Sequence, residues 1–311
     1  MDGHNLDKIV AALGDRVLVN EPMSLHTSFR IGGPADLFVT VETIAELSGT
    51  VASAREQEVL YFLLGGGTNI LVSDKGIRGL VIENRADEAR FEDPCGETIL
   101  YAESGASLNR LAQQSIRRSL AGLEWAVGIP GTIGGAIVGN AGAYGSSIAD
   151  VLLRITVSDE EGAIGQLLAE ELGFGYRTSK LREQKAGSSQ QAVVLSAELA
   201  LTYEPQRWLE RKVAPRMAQR KATQPSQPSA GSVFKNPTGD YAGRLIEAVG
   251  LTGCQVGGAQ FSPQHANFIV NLGEARAADV KALIDLAQEQ VRERFGTELE
   301  LEIELVGEWN G

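Results

Sequence analysis

The sequence predicts an α+β fold, and three observations carry that reading. At 311 residues the chain is long enough for about two domains, or three small ones. Helix-period and strand-period segments follow one another with much irregular backbone between them. Glycine is over-represented: 36 of 311 is about 12%, against a usual ~7%, and the glycines are clustered. Clustered glycine suits backbone brought close to something else.

Taken in order, residues 42–58 read as an amphipathic helix with Ile44, Leu47, Val51 and Ala54 on one face. Val59 to Leu64 is a buried strand that stops at Gly65-Gly66-Gly67, and Gly79 to Ile82 is a further strand. Together these form a β-α-β unit with a glycine turn after the strand. Phe91 to Ser104 is strand-like, broken by Pro94 and Gly96. Leu108 to Leu120 is helical, and a glycine-rich segment follows over 128–145. Val151 to Val157 and Ala192 to Tyr203 carry strand signals. Pro205 to Lys221 is a basic helical stretch whose plain reading is a solvated face. The loop Thr223 to Ser229 marks a boundary. Beyond it Tyr241 to Val249 and Ala277 to Phe295 read as helices, and Ala266 to Asn271 as a strand. Leu299 to Val306 alternates apolar residues with Glu300, Glu302 and Glu304, which puts three carboxylates on one strand face.

Composition narrows the function. Hydrophobic residues at 43% and charged ones at 22% exclude a disordered chain, a coiled coil and a membrane protein. A net charge of −12 leaves no surplus to displace phosphate counterions, so nonspecific nucleic-acid binding is not expected. The longest uncharged stretch, Ala126 to Ile148, holds Pro130 and seven glycines, a poor membrane helix. The N-terminus shows no basic and apolar leader, and Cys95 and Cys254 are the only cysteines, with no CxxC. A cytoplasmic protein is expected.

Several standard sites are missing. There is no GxGxxG, no Gly-Lys dipeptide of a Walker loop and no GxSxG. His4, His26 and His265 do not pair at ligand spacing, so no metal site is expected. Two glycine segments remain. In Gly65-Gly66-Gly67-Thr68-Asn69-Ile70, consecutive amides at a strand end can converge on an anion, with Thr68 and Asn69 as added donors. A plain turn would need fewer glycines. In Gly128-Ile129-Pro130-Gly131-Thr132-Ile133-Gly134-Gly135 and on through Asn140-Ala141-Gly142, glycine recurs every three or four residues. Tight helix–helix packing or a flexible lid are alternatives. The preferred reading is backbone wrapped against a large flat ligand with amides free for its phosphates.

These segments stand in order with Thr27-Ser-Phe-Arg30-Ile-Gly-Gly-Pro-Ala-Asp36, Phe174-Gly-Tyr176-Arg177-Thr-Ser179, Gly231-Ser232-Val-Phe-Lys235-Asn236-Pro237, His265-Ala-Asn267-Phe-Ile-Val-Asn271 and Leu299-Glu-Leu-Glu302. The ordered set, over about residues 20–309, resembles the UDP-N-acetylenolpyruvoylglucosamine reductase family, flavoenzymes of peptidoglycan precursor synthesis. The resemblance implies a two-subdomain FAD-binding fold of the PCMH/vanillyl-alcohol-oxidase type plus a C-terminal α+β substrate-binding domain. The implied divisions are 1–86 with a C-terminal strand 297–311, 87–206, and 207–296. FAD is implied to sit on Gly65, Gly66, Gly67, Thr68, Asn69, Ile70, Ile129, Pro130, Gly131, Thr132, Gly134, Gly135, Asn140, Ala141 and Gly142. Neither loop contains His or Cys, so the FAD is expected to be non-covalent. Arg30 to Asp36 is implied to lie on the cofactor side; an ordinary ion pair is the alternative for Arg30.

The implied reaction passes hydride from NADPH to FAD N5 and on to the β carbon of an enolpyruvyl ether, so that UDP-N-acetylglucosamine enolpyruvate becomes UDP-N-acetylmuramate. Charge builds on the α carbon and carboxylate. By resemblance Ser232 protonates the α carbon, Arg177 holds the carboxylate with its fork, and Glu302 is the catalytic glutamate, expected to have a raised pKa. The five-residue gap to Gly307 selects Glu302 over Glu300 and Glu304. Tyr176, Lys235, Asn236 and His265 are the implied substrate contacts, although Lys235 can be a surface lysine and His265 a buried, satisfied one. About fifteen residues without a tyrosine separate Arg177 from Ala192, which fits a shorter subclass lacking an inserted tyrosine loop. The alternatives are an FAD-dependent oxidoreductase of the same fold acting on another small substrate, and a sugar-nucleotide-binding protein without flavin. A monomer is expected.

Overall fold

The computed structural model describes residues 3–93, 98–183 and 192–309. The expected break at Pro94 and Gly96, with Cys95, lies outside them, as does part of the segment between Arg177 and Ala192. The chain divides into two compact units, each assembled from separated stretches. The first takes Met1–Val19, Leu37–Gly66 and Gly79–Ala218; the second takes Asn20–Asp36, Gly67–Arg78 and Gln219–Gly311.

A sheet made mostly of first-unit residues sets strands Pro34–Val41, Ile77–Asn84 and Tyr61–Leu64 side by side in that order, with Leu18–Pro22 at its edge. Tyr61–Leu64 runs parallel to Ile77–Asn84, Tyr61 facing Leu80 and Leu64 facing Glu83. Helix Ile44–Glu56 buries Leu47, Val51 and Ala54, as its spacing predicts, and Thr43 caps it by accepting from the Glu46 N–H. These residues join Leu37, Val39, Tyr61 and Leu80 in one core. The expected β-α-β order needs correction. The helix precedes both parallel strands, and the link between them carries the glycine turn and a short strand, Ile70–Val72. The strand before the helix, Pro34–Val41, escapes the alternation test because Phe38 is buried on the opposite face from Leu37 and Val39.

The same unit holds an antiparallel sheet of order Ile164–Leu168, Leu152–Ser158, Val193–Tyr203, Thr98–Glu103 and Ala89–Glu92. Helix Leu108–Arg117 packs Leu111, Ala112 and Ile116 onto its core with Leu100, Trp125 and Leu199. The glycine-rich segment is not irregular throughout, as expected. Ile133–Val138 is a short helix capped by the Thr132 side chain. A Cβ on Gly134 would stand 3.0 Å from the Ser104 Cβ, so this glycine lets the helix approach the sheet. Close packing accounts for that position, although it is of helix on sheet and not of helix on helix as the alternative reading had it.

In the second unit, helix Ala277–Phe295 has the expected bounds. Val280, Leu283, Ile284, Ala287 and Val291 pack with Phe29, Phe234, Phe261 and Leu299. The Asp74 carboxylate accepts from the Ala277 and Ala278 N–H groups at 2.8 and 3.0 Å, a cap supplied from a distant stretch of chain. Strands Gln255–Val256, Ala259–Phe261 and Ile269–Asn271 form a small antiparallel sheet. The expected strand from Ala266 begins only at Ile269, because the Phe268 N–H closes a turn onto the His265 carbonyl at 2.9 Å.

The expected strand Leu299–Val306 is also shorter. Glu304–Val306 pairs in parallel with Ile70–Val72. Just before it, the Val233 carbonyl accepts from both the Glu302 and Ile303 N–H groups, at 2.8 and 3.4 Å. Two residues oppose one, which is a bulge. The period of two does not run the full length: Leu299, Ile303 and Val306 are the buried residues, so it fails between Ile303 and Val306. The three glutamates differ in exposure: Glu300 is exposed while Glu302 and Glu304 are half-buried. No described helix is long and apolar enough to cross a membrane.

Candidate active site

The second unit brings together Ser232, Lys235 and Glu302. Residues 232–235 run between two other segments. On one side the Glu302 N–H donates to the Val233 carbonyl and the Lys235 N–H to the Glu300 carbonyl, both at 2.8 Å, and Phe234 bridges Leu301. On the other side Ser232 bridges Phe268, and the Val233 N–H donates to the Asn267 carbonyl at 2.8 Å. The bulge lies at Glu302 and Ile303, just past Glu300. Glu300 meets Lys235, whose Nζ lies 3.3 Å from its Oε2. The Ser232 hydroxyl donates to no group among the described residues.

Two buried asparagines hold this region. Asn267 accepts from the Phe234 N–H with Oδ1 at 2.9 Å and donates from Nδ2 to the Phe234 carbonyl at 2.8 Å. Leaving either backbone group unmet in this interior costs about 1–3 kcal/mol. Asn271 donates to the carbonyls of Phe29 and Arg30 at 3.1 and 3.4 Å, and its Oδ1 accepts from Gly273 and Ala275. Arg30 stands at φ 55°, a left-handed conformation costly for a residue with a Cβ. The Ser28 N–H donates to the Gly67 carbonyl at 3.0 Å and the Ser28 hydroxyl to the Ser229 carbonyl at 2.7 Å. The Arg30 turn is thereby tied to the glycine turn and to the serine segment. The sequence reading missed the roles of Asn267 and Asn271; the available signal was two amides flanking the apolar run Phe-Ile-Val.

The remaining contacts are partly committed. Asn236 Oδ1 accepts from the Ala242 N–H at 3.1 Å, at the start of helix Ala242–Ala248, which leaves its amide nitrogen. His265 Nδ1 accepts from the Asn267 N–H at 3.2 Å, and burial holds the imidazole below its ordinary pKa. Only Nε2 is left for a ligand.

Arg177 and Tyr176 belong to the first unit. They are the central pair of a tight turn closed by Gly175 and Thr178, whose backbones exchange hydrogen bonds at 3.0 and 3.3 Å. Arg177 stands at φ 57°, where turns of this kind prefer glycine or asparagine. Asn140 Nδ2 donates to the Gly175 carbonyl at 2.8 Å, Ser179 Oγ to the Val138 carbonyl at 2.7 Å, and Arg182 Nη1 to the Arg177 carbonyl at 2.9 Å. Tyr176 is 58% exposed, with the Arg177 guanidinium 5.6 Å from its ring centre.

The two glycine segments differ in what they leave open. Among the described residues, the N–H groups of Gly66, Gly67 and Thr68 meet no backbone carbonyl. Gly67 stands at φ 60°, and a Cβ there would be 2.1 Å from the His26 carbonyl oxygen. A Cβ on Gly65 would be 2.6 Å from Thr132 Oγ1, so the bare backbone at Gly65 lets these two segments meet inside the first unit. Asn69 Nδ2 donates to the Glu302 carbonyl at 3.0 Å, and Ile70 enters the strand paired with Glu304. In the second segment the amides of Gly134 and Gly135 are spent on the Ser104 carbonyl and the Thr132 hydroxyl. Gly142 is needed for its own hairpin, since a Cβ would be 2.5 Å from the Ser146 carbonyl. Ile129 closes a turn onto Ala126, Pro130 follows it, Gly131 stands at φ 122°, and the Ala141 N–H donates to the Ala136 carbonyl.

Comparison with known proteins decides what this arrangement belongs to. Residues 224–306 match the profile of the UDP-N-acetylenolpyruvoylglucosamine reductase C-terminal domain, and residues 35–167 match that of an FAD binding domain. UDP-N-acetylenolpyruvoylglucosamine reductase 2 of Symbiobacterium thermophilum is 46% identical over 293 residues, covering 94% of this chain and 92% of its own. The Bacillus subtilis reductase is 39% identical over 309 residues, covering 97% and 99%. The chain belongs to the UDP-N-acetylenolpyruvoylglucosamine reductase family. The crystal structure of the Thermus caldophilus reductase superposes with a TM-score of 0.77 at 37% identity, covering 93% of this chain and 98% of that one. The fold is therefore that of the reductase family, with FAD as its cofactor.

The residues present fit FAD. The unspent amides of Gly66 to Thr68 suit a phosphate. Asn140 Oδ1 is buried with no donor among the described residues, an acceptor suited to a ligand N–H. Both features lie in segments that the sequence reading assigned to the cofactor.

Proposed function

We propose that this chain reduces UDP-N-acetylglucosamine enolpyruvate to UDP-N-acetylmuramate for peptidoglycan precursor synthesis, with NADPH as the electron source. The observation that carries the reading is the ladder joining Ser232, Lys235 and Glu302, which Asn69 ties to the first glycine turn. When bound, FAD supplies hydride transfer, which no side chain provides.

The substrate is a double bond conjugated with a carboxylate, so hydride at its β carbon builds negative charge on the α carbon and carboxylate. The chain must hold that charge and deliver one proton. Ser232 is assigned the proton, because its hydroxyl is uncommitted and a carbanion-like carbon is basic enough to take it. Glu302 is assigned to the developing charge, where it serves when protonated or sharing a proton. Arg177 is assigned to the carboxylate: a guanidinium meets two oxygens at once and stays charged. Lys235 suits a phosphate, since its partner Glu300 is solvent-exposed and an exposed ion pair exchanges at little cost. Asn236, His265 and Tyr176 complete the proposed substrate contacts. The cofactor contacts proposed are residues 65–70, 129–132, 134–135 and 140–142, with FAD held non-covalently. The three-part division at 86 and 206 and a monomeric, cytoplasmic enzyme belong to the same reading.

Anaerobic stopped-flow tests it. NADPH should bleach the oxidised-flavin absorbance, and the enolpyruvyl sugar nucleotide should then restore it. A reduced flavin that this nucleotide leaves reduced would overturn the proposal.

A further inference from the structure

The geometry points to Asn267 as a positioning residue for the substrate half of the cycle, one that sets the register of the segment carrying Ser232 and Lys235; this rests on the function proposed above. An antiparallel ladder starting at the Ser232–Phe268 bridge would next pair Phe234 with residue 266. It does not, because the chain turns back through His265 and closes its turn at Phe268. The side-chain amide of Asn267 takes the missing place. It carries the same donor and acceptor as a peptide group, and it meets both the N–H and the carbonyl of Phe234 at 2.9 and 2.8 Å. Its own carbonyl meanwhile receives the Val233 N–H.

Asn267 is 4% exposed, so water is largely excluded as a substitute. Its own backbone is held by His265 Nδ1, which fixes the asparagine from behind. On the opposite side of the segment the contacts at Val233 and Lys235 come from residues 300–303. Between Val233 and Lys235 only Asn267 fixes both polar groups of Phe234 among the described residues. Losing it frees the segment to slide or twist at that residue, two positions from Ser232 and one from Lys235. Asn267 need not touch substrate to matter.

The test uses the flavin-loaded enzyme carrying Asn267→Ser or Asn267→Asp. Serine leaves room for water; aspartate keeps the acceptor and loses the donor, and either suffices if the other fails to fold. The bound-flavin spectrum and the rate of flavin reduction by NADPH should stay within about twofold. Reoxidation by the enolpyruvyl substrate should slow by about 100-fold, the scale of a 1 Å misplacement. In Asn267→Ser, amide hydrogen exchange at Phe234 should speed up while Ile269 and Val270 stay protected; in Asn267→Asp the Phe234 N–H keeps its acceptor and only its carbonyl is released. Reoxidation within threefold of the parent overturns the inference, as does an equal loss in both half-reactions, which marks a merely structural residue. Ser232→Ala run alongside separates the two proposals. If that variant reoxidises at the parent rate while the Asn267 variants are slow, the proton-donor assignment falls and the positioning role stands, acting through Lys235.

Discussion

Arg177 and Ser232 are held in opposite ways. Ser232 lies on extended backbone with a neighbour on each side, so its position follows from ordinary ladder bonds and one amide that replaces a missing pair. Arg177 lies on a tight turn in a left-handed conformation that costs about 1–2 kcal/mol for a residue with a Cβ. Three contacts, from Asn140, Ser179 and Arg182, keep its surroundings in place. Glycine would remove the strain, yet an arginine stands there. Strain that persists at one well-clamped residue points to a use for its side chain. The ladder offers no such signal, and its residues are distinguished only by what they leave unbonded.

The largest effect should come from the unstrained side. Ser232→Ala is expected to leave flavin reduction by NADPH intact and to slow the substrate-driven reoxidation by about 10³-fold, within the usual range for a lost acid. Its melting temperature should hardly move, because the hydroxyl has no partner among the described residues. Equal slowing of both half-reactions would remove the assignment.

Arg177→Gly sharpens the contrast. Relief of the left-handed backbone works against both the entropy that glycine adds to the unfolded chain and the loss of the guanidinium's contacts, the Tyr176 ring among them, so stability should change by no more than about 1–2 kcal/mol. Substrate-driven reoxidation should still fall by about 100-fold. Calorimetry beside stopped-flow checks both, and near-parental turnover would show that the strain serves something else.

The smallest effect concerns the ladder's support. Burial depresses the pKa of His265, so the unfolded chain takes up its proton at a higher pH than the folded one. Its contribution to stability is therefore full above the ordinary imidazole value and is lost as pH falls toward the depressed one. Protonation also removes the acceptor used by the Asn267 N–H. His265→Gln should flatten the loss of stability between pH 7 and pH 5, read from urea midpoints. A variant that loses as much as the parent would assign that slope to other groups.

Much of this was legible because side-chain periodicity reports burial directly. Helices Ile44–Glu56 and Ala277–Phe295 show it, as does the glycine stop after Leu64. Pattern failed where the backbone departs from regular pairing. The alternation from Leu299 is real in the letters, but a single carbonyl, that of Val233, takes two donors, and regular pairing is confined to Glu304–Val306. Helix Ile133–Val138 hid behind its glycines, which read as loop although Gly134 is there to fit against Ser104. The reductive centre was named from ordered motifs, and those motifs could not say that an asparagine bonds backbone where a neighbouring strand would.

The parallel pairing of Ile70–Val72 with Glu304–Val306 joins stretches separated by more than two hundred residues, as does the Asn69–Glu302 contact beside it. During synthesis the early stretch therefore waits, apolar and unzipped, while the polypeptide that completes it is still being made. Closure of so long a loop is slow to begin. A refolding experiment should find flavin capture among the last events, and a ribosome stalled before Glu304 should carry a nascent chain that stays colourless.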